Sequence, residues 1–200
     1  MTRKILFGIG INDADYNVYK TAMINGKHTI IWCCTYYRRW SDMIRRCYNP
    51  KTIKIRPNYK DCFVCDEWLY FSNFKLWMEQ QDWEGKDLDK DLLYPGNKIY
   101  SPETCVFVDR KINAFVTDRS NSRTEGLIGA SFEKETGRFK ASCQDEGRTI
   151  NLGRYSTSEE AHKAWLAFKL EKAYKLAAEQ TDPRVAEALI DRYENYAIHN

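Results

Sequence analysis

Leu88–Asn113 reads LDKDLLYPGNKIYSPETCVFVDRKIN, and its order of elements decides the fold. A short strand ends in an acid, Asp89. A turn-rich loop follows, then a second apolar strand, CVFV. A helix opens behind Asp109, its expected cap, and carries Asn113 about one turn in. Cutting a phosphodiester needs a cation on the phosphate and an activated water. Mg²⁺ keeps several of its waters, so one carboxylate and one amide oxygen can hold it. If strand, strand and helix fold back on one another, Asp89 and Asn113 can converge on such an ion. On periodicity alone, Asp89 and Asp91 read equally as exposed hairpin carboxylates, and Asn113 as a polar helix residue.

Toward the N-terminus, Trp40, Met43, Ile44 and Cys47 recur at helical spacing over 35–48, beside Arg38, Arg39, Arg45 and Arg46. This predicts an amphipathic helix with an apolar stripe in the core and arginines suited to phosphates. NPKTIKIRPNY, 49–59, reads as an exposed basic loop. Trp68, Phe71, Phe74, Trp77 and Met78 form an aromatic stripe on a helix, read as core, and 82–86 reads as a turn. Residues 1–34 stay largely unassigned. GIGINDADY is turn-rich, and NGKHTIIWCC reads as a turn followed by an apolar strand. Gly8 and Gly10 make no phosphate loop, because no lysine-hydroxyl pair follows at the required spacing.

Charge is segregated. Residues 1–60 carry twelve Lys and Arg against three Asp, and residues 61–95 carry three Lys against nine Asp and Glu. The remainder balances. A basic third beside an acidic segment points to a polyanion partner next to a cation site. Two solvated faces would give the same counts.

The ordered string RCYNP, Tyr59, VCDEW, FSNF, LDKD, GNKIYSPETCVFV and KIN resembles phage-type HNH endonucleases of the homing kind, over about 35–116. The resemblance implies a ββα-metal fold in which Asp89 and Asn113 hold one Mg²⁺ or Mn²⁺. In that family a histidine after the strand acid activates the water, and Lys90 stands at that position here. A lysine ammonium is a poor base at neutral pH. Three readings stay open: another group serves as base, His28 being the only histidine ahead of residue 117; Lys90 acts itself in a weak enzyme; or the scaffold binds DNA without cutting it.

Beyond the polar stretch TDRSNSRTEG, 117–126, read as a linker, three short strands are expected: LIGASFEKE, RFKASCQ and RTINLGRY. Thr136-Gly137 and Glu146-Gly147 supply the turns. Ser156 or Ser158 is the expected cap of a long helix, and Pro183 opens a last one. The run from Ile128-Gly129 through GRFKA, LGRY and EEAHKAW is similar to the plant ethylene-response-factor, or Apetala-type, DNA-binding domain, over about 126–169. The resemblance implies a three-stranded sheet on a helix, with the sheet in the major groove. Arg138, Lys140, Arg148 and Arg154 are then the candidates for guanines or phosphates. An ordinary solvated sheet face is the plainer alternative.

The whole predicts an α+β chain: an HNH-like nuclease domain over 1–116, a linker over 117–126, and a DNA-binding domain with a C-terminal helix over 127–200. The expected partner is double-stranded DNA. A 43% hydrophobic content and six Trp exclude a disordered chain. No apolar run is long enough to span a bilayer, and no signal peptide is read, so a cytoplasmic site is expected, the host's if the source is a phage. Seven cysteines without an export signal suit reduced thiols. Cys62 and Cys65 have metal-ligand spacing, and Cys47 and Cys105 could complete a structural Zn²⁺ site. Buried cysteines acting as small hydrophobes explain them as well.

Overall fold

The apolar spacing over Thr35–Tyr48 winds α1 over those residues and buries Tyr37, Trp40, Met43, Ile44 and Cys47 along one face. Across it lies α3 (Phe71–Glu79), which contributes Phe71, Phe74 and Met78. Trp40 is fully buried, and its indole donates to Trp68 O at 2.7 Å, so a polar edge is satisfied inside an aromatic core. Phe71 rests on Trp40 and Tyr37, with ring centres 5.6 and 5.4 Å apart.

The computed structural model describes residues 4–117 and 127–196. The chain is a mixed α+β protein. Among the described residues it has six α-helices and small, mainly antiparallel sheets, and no barrel closes. It divides into two compact units, 1–108 and 109–200.

In the first unit β1 (Lys4–Leu6) and β2 (Gly10–Asn12) form a hairpin. Gly10 lies under Trp40 and Ile44, where a Cβ would come within 3.1 Å of both. Asp13 then reaches the start of α3, accepting from Ser72 N at 2.9 Å and Ser72 Oγ at 2.6 Å. The N-terminal residue of that helix gives it no side-chain cap, so Asp13 supplies one through space. The turn-rich start, unassigned by sequence, is thus part of the core.

A second hairpin joins β3 (Tyr19–Ile24) to β4 (Lys27–Cys33). Asn25 and Gly26 both have positive φ, as the two-residue turn that matches strand twist requires. After α1, the expected basic loop is instead a helix, α2 (Pro50–Ile55), and a 3₁₀ turn over Pro57–Tyr59. Asn49 Oδ1 accepts from Lys51 N and Thr52 N, with Pro50 in the first helical position. Asn-Pro reads as a turn or as a helix start, and here it is the second.

The acid-bearing strand β6 (Asp87–Asp89) pairs antiparallel with β8 (Val106–Val108), Asp89 facing Val106. Between them β7 (Ile99–Tyr100) runs parallel to β5 (Phe63–Val64).

The second unit begins with α4 (Arg110–Val116). Asp109 precedes it as expected, but its side chain makes no cap bond. Sequence reading grouped this helix with residues 1–116; by its contacts it belongs with the C-terminal half. Lys169 explains the grouping. Its buried ammonium donates to Phe115 O and lies 4.1 Å from the Phe115 ring centre, while Tyr193 Oη also donates to Phe115 O. Of the expected linker, 118–126 lies outside the described residues.

β9 (Ala130–Glu133), β10 (Arg138–Asp145) and β11 (Arg148–Tyr155) form one antiparallel sheet in the order β11-β10-β9. It packs on α5 (Ser158–Ala178) through Ala130, Ala141 and Ala161, small residues that let strand and helix approach. Gly129 has φ +83°, and a Cβ there would fall 2.1 Å from Trp165 Cγ, so only glycine fits. The cap of α5 is Thr157 rather than Ser156 or Ser158. Its Oγ1 accepts from Glu160 N at 3.2 Å, and Glu160 reaches back to Thr157 N. Asp182 caps α6 (Pro183–Glu194).

Candidate functional site

Asp89 sits where β6 ends and the chain turns. Its Oδ1 accepts from Leu92 N at 2.6 Å and Asp91 N at 2.7 Å. Among the described residues nothing donates to Oδ2. Burial raises the carboxyl above its ordinary value, against the two backbone bonds, which pull it down. The result is a carboxylate with one oxygen locked by the backbone and the other unpartnered, in surroundings that penalise its charge. A bound cation would reverse that penalty.

Lys90 is almost fully buried, at 6% exposure. Its ammonium donates to Asn97 O at 2.6 Å and pairs with the Asp91 carboxylate. Asn97 returns the bond, donating through Nδ2 to Lys90 O and Ile99 O. Lys90 and Asn97 therefore stitch the loop between β6 and β7, with the ammonium 6.0 Å from the Tyr100 ring centre. The loop's far end is tied by Thr104 Oγ1, which accepts from Ser101 N and donates to Ile99 O. The sequence reading of Lys90 as a reacting group and the observed bonds differ in kind: the bonds are architectural. Asn97, which shares this tie, was not singled out by sequence, and Asp91 was read there only as an exposed hairpin carboxylate.

Asn113 is half-buried on α4, one turn behind Asp109, and donates its backbone N–H to Asp109 O at 3.1 Å. Its side-chain amide makes no hydrogen bond among the described residues. Asp89 stands in the first unit and Asn113 in the second. His28 is exposed on β4, opposite Met23.

The cysteines do not assemble as four. Among the described residues no group of three or more His, Cys, Asp or Glu gathers as a metal site. Cys47 interacts with Cys62, and Cys105 with Cys65. Burial pushes Cys47 and Cys105 up to about 12 and raises Cys62 and Cys65 as well. In the metal-free chain burial favours the neutral thiol at all four, and buried thiols of this kind pack as small hydrophobes. A site of one carboxylate and one amide needs no such group.

Of the four arginines on α1, two are tied internally. Arg39 donates to Asp87 at 2.9 Å and Lys86 O at 2.5 Å, fixing the start of β6. Arg46 is half-buried, 5.7 Å from the Tyr59 ring centre. Arg38 and Arg45 are exposed, Arg45 paired with Asp42 on its own helix.

On the sheet of the second unit, register decides which candidates share a face. Lys140 lies opposite Arg154 on one side and Ser131 on the other, and Arg138 opposite Glu133. Alternation then puts Arg138, Lys140 and Arg154 on the outer face with Ser142, Gln144 and Asn151. Arg148 pairs with Asp145, which reaches Lys172 of α5 at 2.8 Å, so Arg148 falls on the opposite face. A bulge at Ala141/Ser142 makes this parity unreadable from sequence. Glu133 binds Arg154 through Nε at 2.5 Å and Nη2 at 3.2 Å.

No protein-family model, curated protein or solved structure matches the chain. No helix among the described residues is long and apolar enough to cross a membrane.

Proposed function

We propose that the chain is a metal-dependent DNA endonuclease of the HNH, ββα-metal class, acting on duplex DNA with one Mg²⁺ or Mn²⁺. The observation that carries this reading is Asp89: a strand-end carboxylate, raised by burial, with Oδ1 locked and Oδ2 open. Asn113, with its amide unpaired among the described residues, is the second ligand the family resemblance implies. The metal supplies charge stabilisation at the scissile phosphate and an activated water. Asp89 holds the anionic oxygen that binds it, and Asp91 N and Leu92 N fix that carboxylate's orientation. The outer face of the β9–β11 sheet, bearing Arg138, Lys140 and Arg154, meets phosphates and base edges.

One observation favours a second reading, in which the same scaffold binds DNA without cutting it. Lys90, at the histidine position of the resembled family, is locked into the loop by Asn97 and Asp91. The deciding experiment incubates supercoiled plasmid and genomic DNA with the protein in Mg²⁺, Mn²⁺ or EDTA, beside Asp89→Ala and Asn113→Ala. Metal-dependent nicking or linearisation, lost in both variants while DNA binding persists, supports the nuclease. Retarded DNA with no conversion under any metal supports the second reading. Undiminished cutting by either variant removes that residue from the site.

A further inference from the structure

The β3–β4 hairpin packs on the core only through its root, Tyr19 and Cys33. Every residue from Lys27 to Trp32 is exposed, and Met23, Ile24, Ile30, Ile31 and Trp32 keep between 46% and 59% of their surface open. A two-stranded ribbon standing in water is marginal, and its free edges invite a partner. The charge around it says which kind. Between Asp15 and Asp42 the chain has no acidic residue, while Lys20, Lys27, Arg38 and Arg39 fall inside that span. Register gathers the ribbon's share of that charge. Lys20 faces Trp32, Ala22 faces Thr29, and Ile24 faces Lys27, so Lys20, Lys27, Thr29 and Trp32 occupy one side. Lys20 Nζ lies 5.8 Å from the Trp32 ring centre. Arg38 is exposed just beyond the root, on the first turns of α1.

A face with two lysines, a hydroxyl and an indole, and no anion, complements a polyanion that also offers apolar edges. Duplex DNA does: phosphates line its grooves, thymine methyls and sugars lie between, and the major groove admits a two-stranded ribbon. We infer that the β3–β4 hairpin is a DNA-contacting arm, set in a groove of the duplex with Lys20 and Lys27 on phosphates and Trp32 against the groove wall. The inference rests on the reading of the chain as a DNA-acting protein and adds a contact surface separate from Asp89 and from the β9–β11 sheet.

The test measures binding of the full chain to a mixed-sequence duplex by fluorescence anisotropy, in EDTA, across a salt series. Each phosphate contact contributes about 0.9 to the slope of log affinity against log salt. Lys20→Gln with Lys27→Gln is therefore expected to lower the slope by about 2 and to weaken binding about 60-fold at 0.1 M salt. Trp32→Ser, on the same face and exposed, is expected to weaken binding at unchanged slope. Circular dichroism confirms that each variant is folded. An unchanged affinity and slope in the lysine pair overturns the arm while leaving the nuclease reading intact. So does a wild-type dimer that becomes monomeric in the hairpin variants at unchanged affinity per chain, since the ribbon's partner would then be a second copy. A wild-type chain that binds no duplex removes the DNA reading itself, and the arm with it.

Discussion

Replacing Asp89 with Asn separates the chemistry of the site from its stability, because the two respond in opposite directions. Asn presents the same Oδ1 to Leu92 N and Asp91 N, at 2.6 and 2.7 Å in the native chain. It removes the charge whose burial raises the Asp89 carboxyl. A carboxyl raised by folding favours the protonated folded state. Its stability is fully present below the unfolded value of about 4 and is lost as pH rises through the raised folded value. At neutral pH the native chain therefore carries a penalty that the Asn variant lacks. Stabilising substitutions at such sites commonly gain about 0.5–2 kcal/mol, and 1 kcal/mol moves the melting point of a unit of about 100 residues by roughly 4–8 °C. The assay is a thermal melt in EDTA from pH 3.5 to 7.5. The variant should match the native chain at the acid end and exceed it near neutrality. Added Mg²⁺ or Mn²⁺ should stabilise the native chain and leave the variant unmoved, and cleavage should be lost. A variant less stable than the native chain at pH 7 in EDTA would refute the argument, for it would mean the carboxylate has a favourable partner in the metal-free chain.

The remaining expectations concern the surroundings of that residue and the second unit. Lys90→Met removes the bonds to Asn97 O and Asp91 and should lower stability by about 1.5–3 kcal/mol in urea titration, while folded protein keeps its rate of cleavage; lost cleavage at full folding would make Lys90 a reacting group. Gly129→Ala forces a non-glycine residue to φ +83° and sets its Cβ 2.1 Å from Trp165 Cγ, for a loss of about 2–5 kcal/mol, read by the fluorescence of Trp165 on denaturation after the other five Trp are replaced by Phe in both chains; a midpoint equal to the parent's would contradict the packing. Arg138→Gln and Lys140→Gln should each weaken duplex binding and lower the salt slope by about 1, whereas Arg148→Gln should leave both nearly unchanged; an equal loss at Arg148 would put it on the contact face.

What was legible in the sequence follows the range of the forces involved. α1 shows in the spacing of Trp40, Met43, Ile44 and Cys47 because a helix is a local pattern, and the strands of the second unit show through their turn residues. Asp89 at a strand end and Asn113 one turn into a helix are likewise local facts. What escaped was decided elsewhere in the chain. The parallel pairing of Phe63 with Ile99 leaves no mark on either segment. Asp13 caps a helix nearly sixty residues away. α4 is grouped with the second unit by Lys169 and Tyr193, whose bonds to Phe115 O no local pattern announces. Lys90 was judged by its place in a motif, while its bonds are set by Asn97, across a loop whose closure only the fold reveals.

The features that break local rules in the first unit are few, and they lie beside a core that has none. Trp40, Trp68, Phe71, Phe74 and Met78 are buried to within 1%, with ring contacts between Trp40 and Phe71 and between Trp68 and Phe74, each fully buried apolar side chain contributing about 1.5–3 kcal/mol. Against that background stand a half-buried carboxylate with an open oxygen and a ribbon of exposed isoleucines and tryptophan. Neither stabilises the isolated chain: the first opposes folding at neutral pH, and the second leaves apolar surface in water. A sequence selected for stability alone would place Asn at 89 and polar residues at 30–32, both accessible by substitution without disturbing the core. Under the proposed function and the inferred arm, ligands would offset both costs, a cation at Asp89 and a polyanion at the ribbon. Under the proposed function one macromolecule would meet both requirements, because a nucleic acid would bring phosphates for the lysines and a metal-bound phosphate for the carboxylate at the same time.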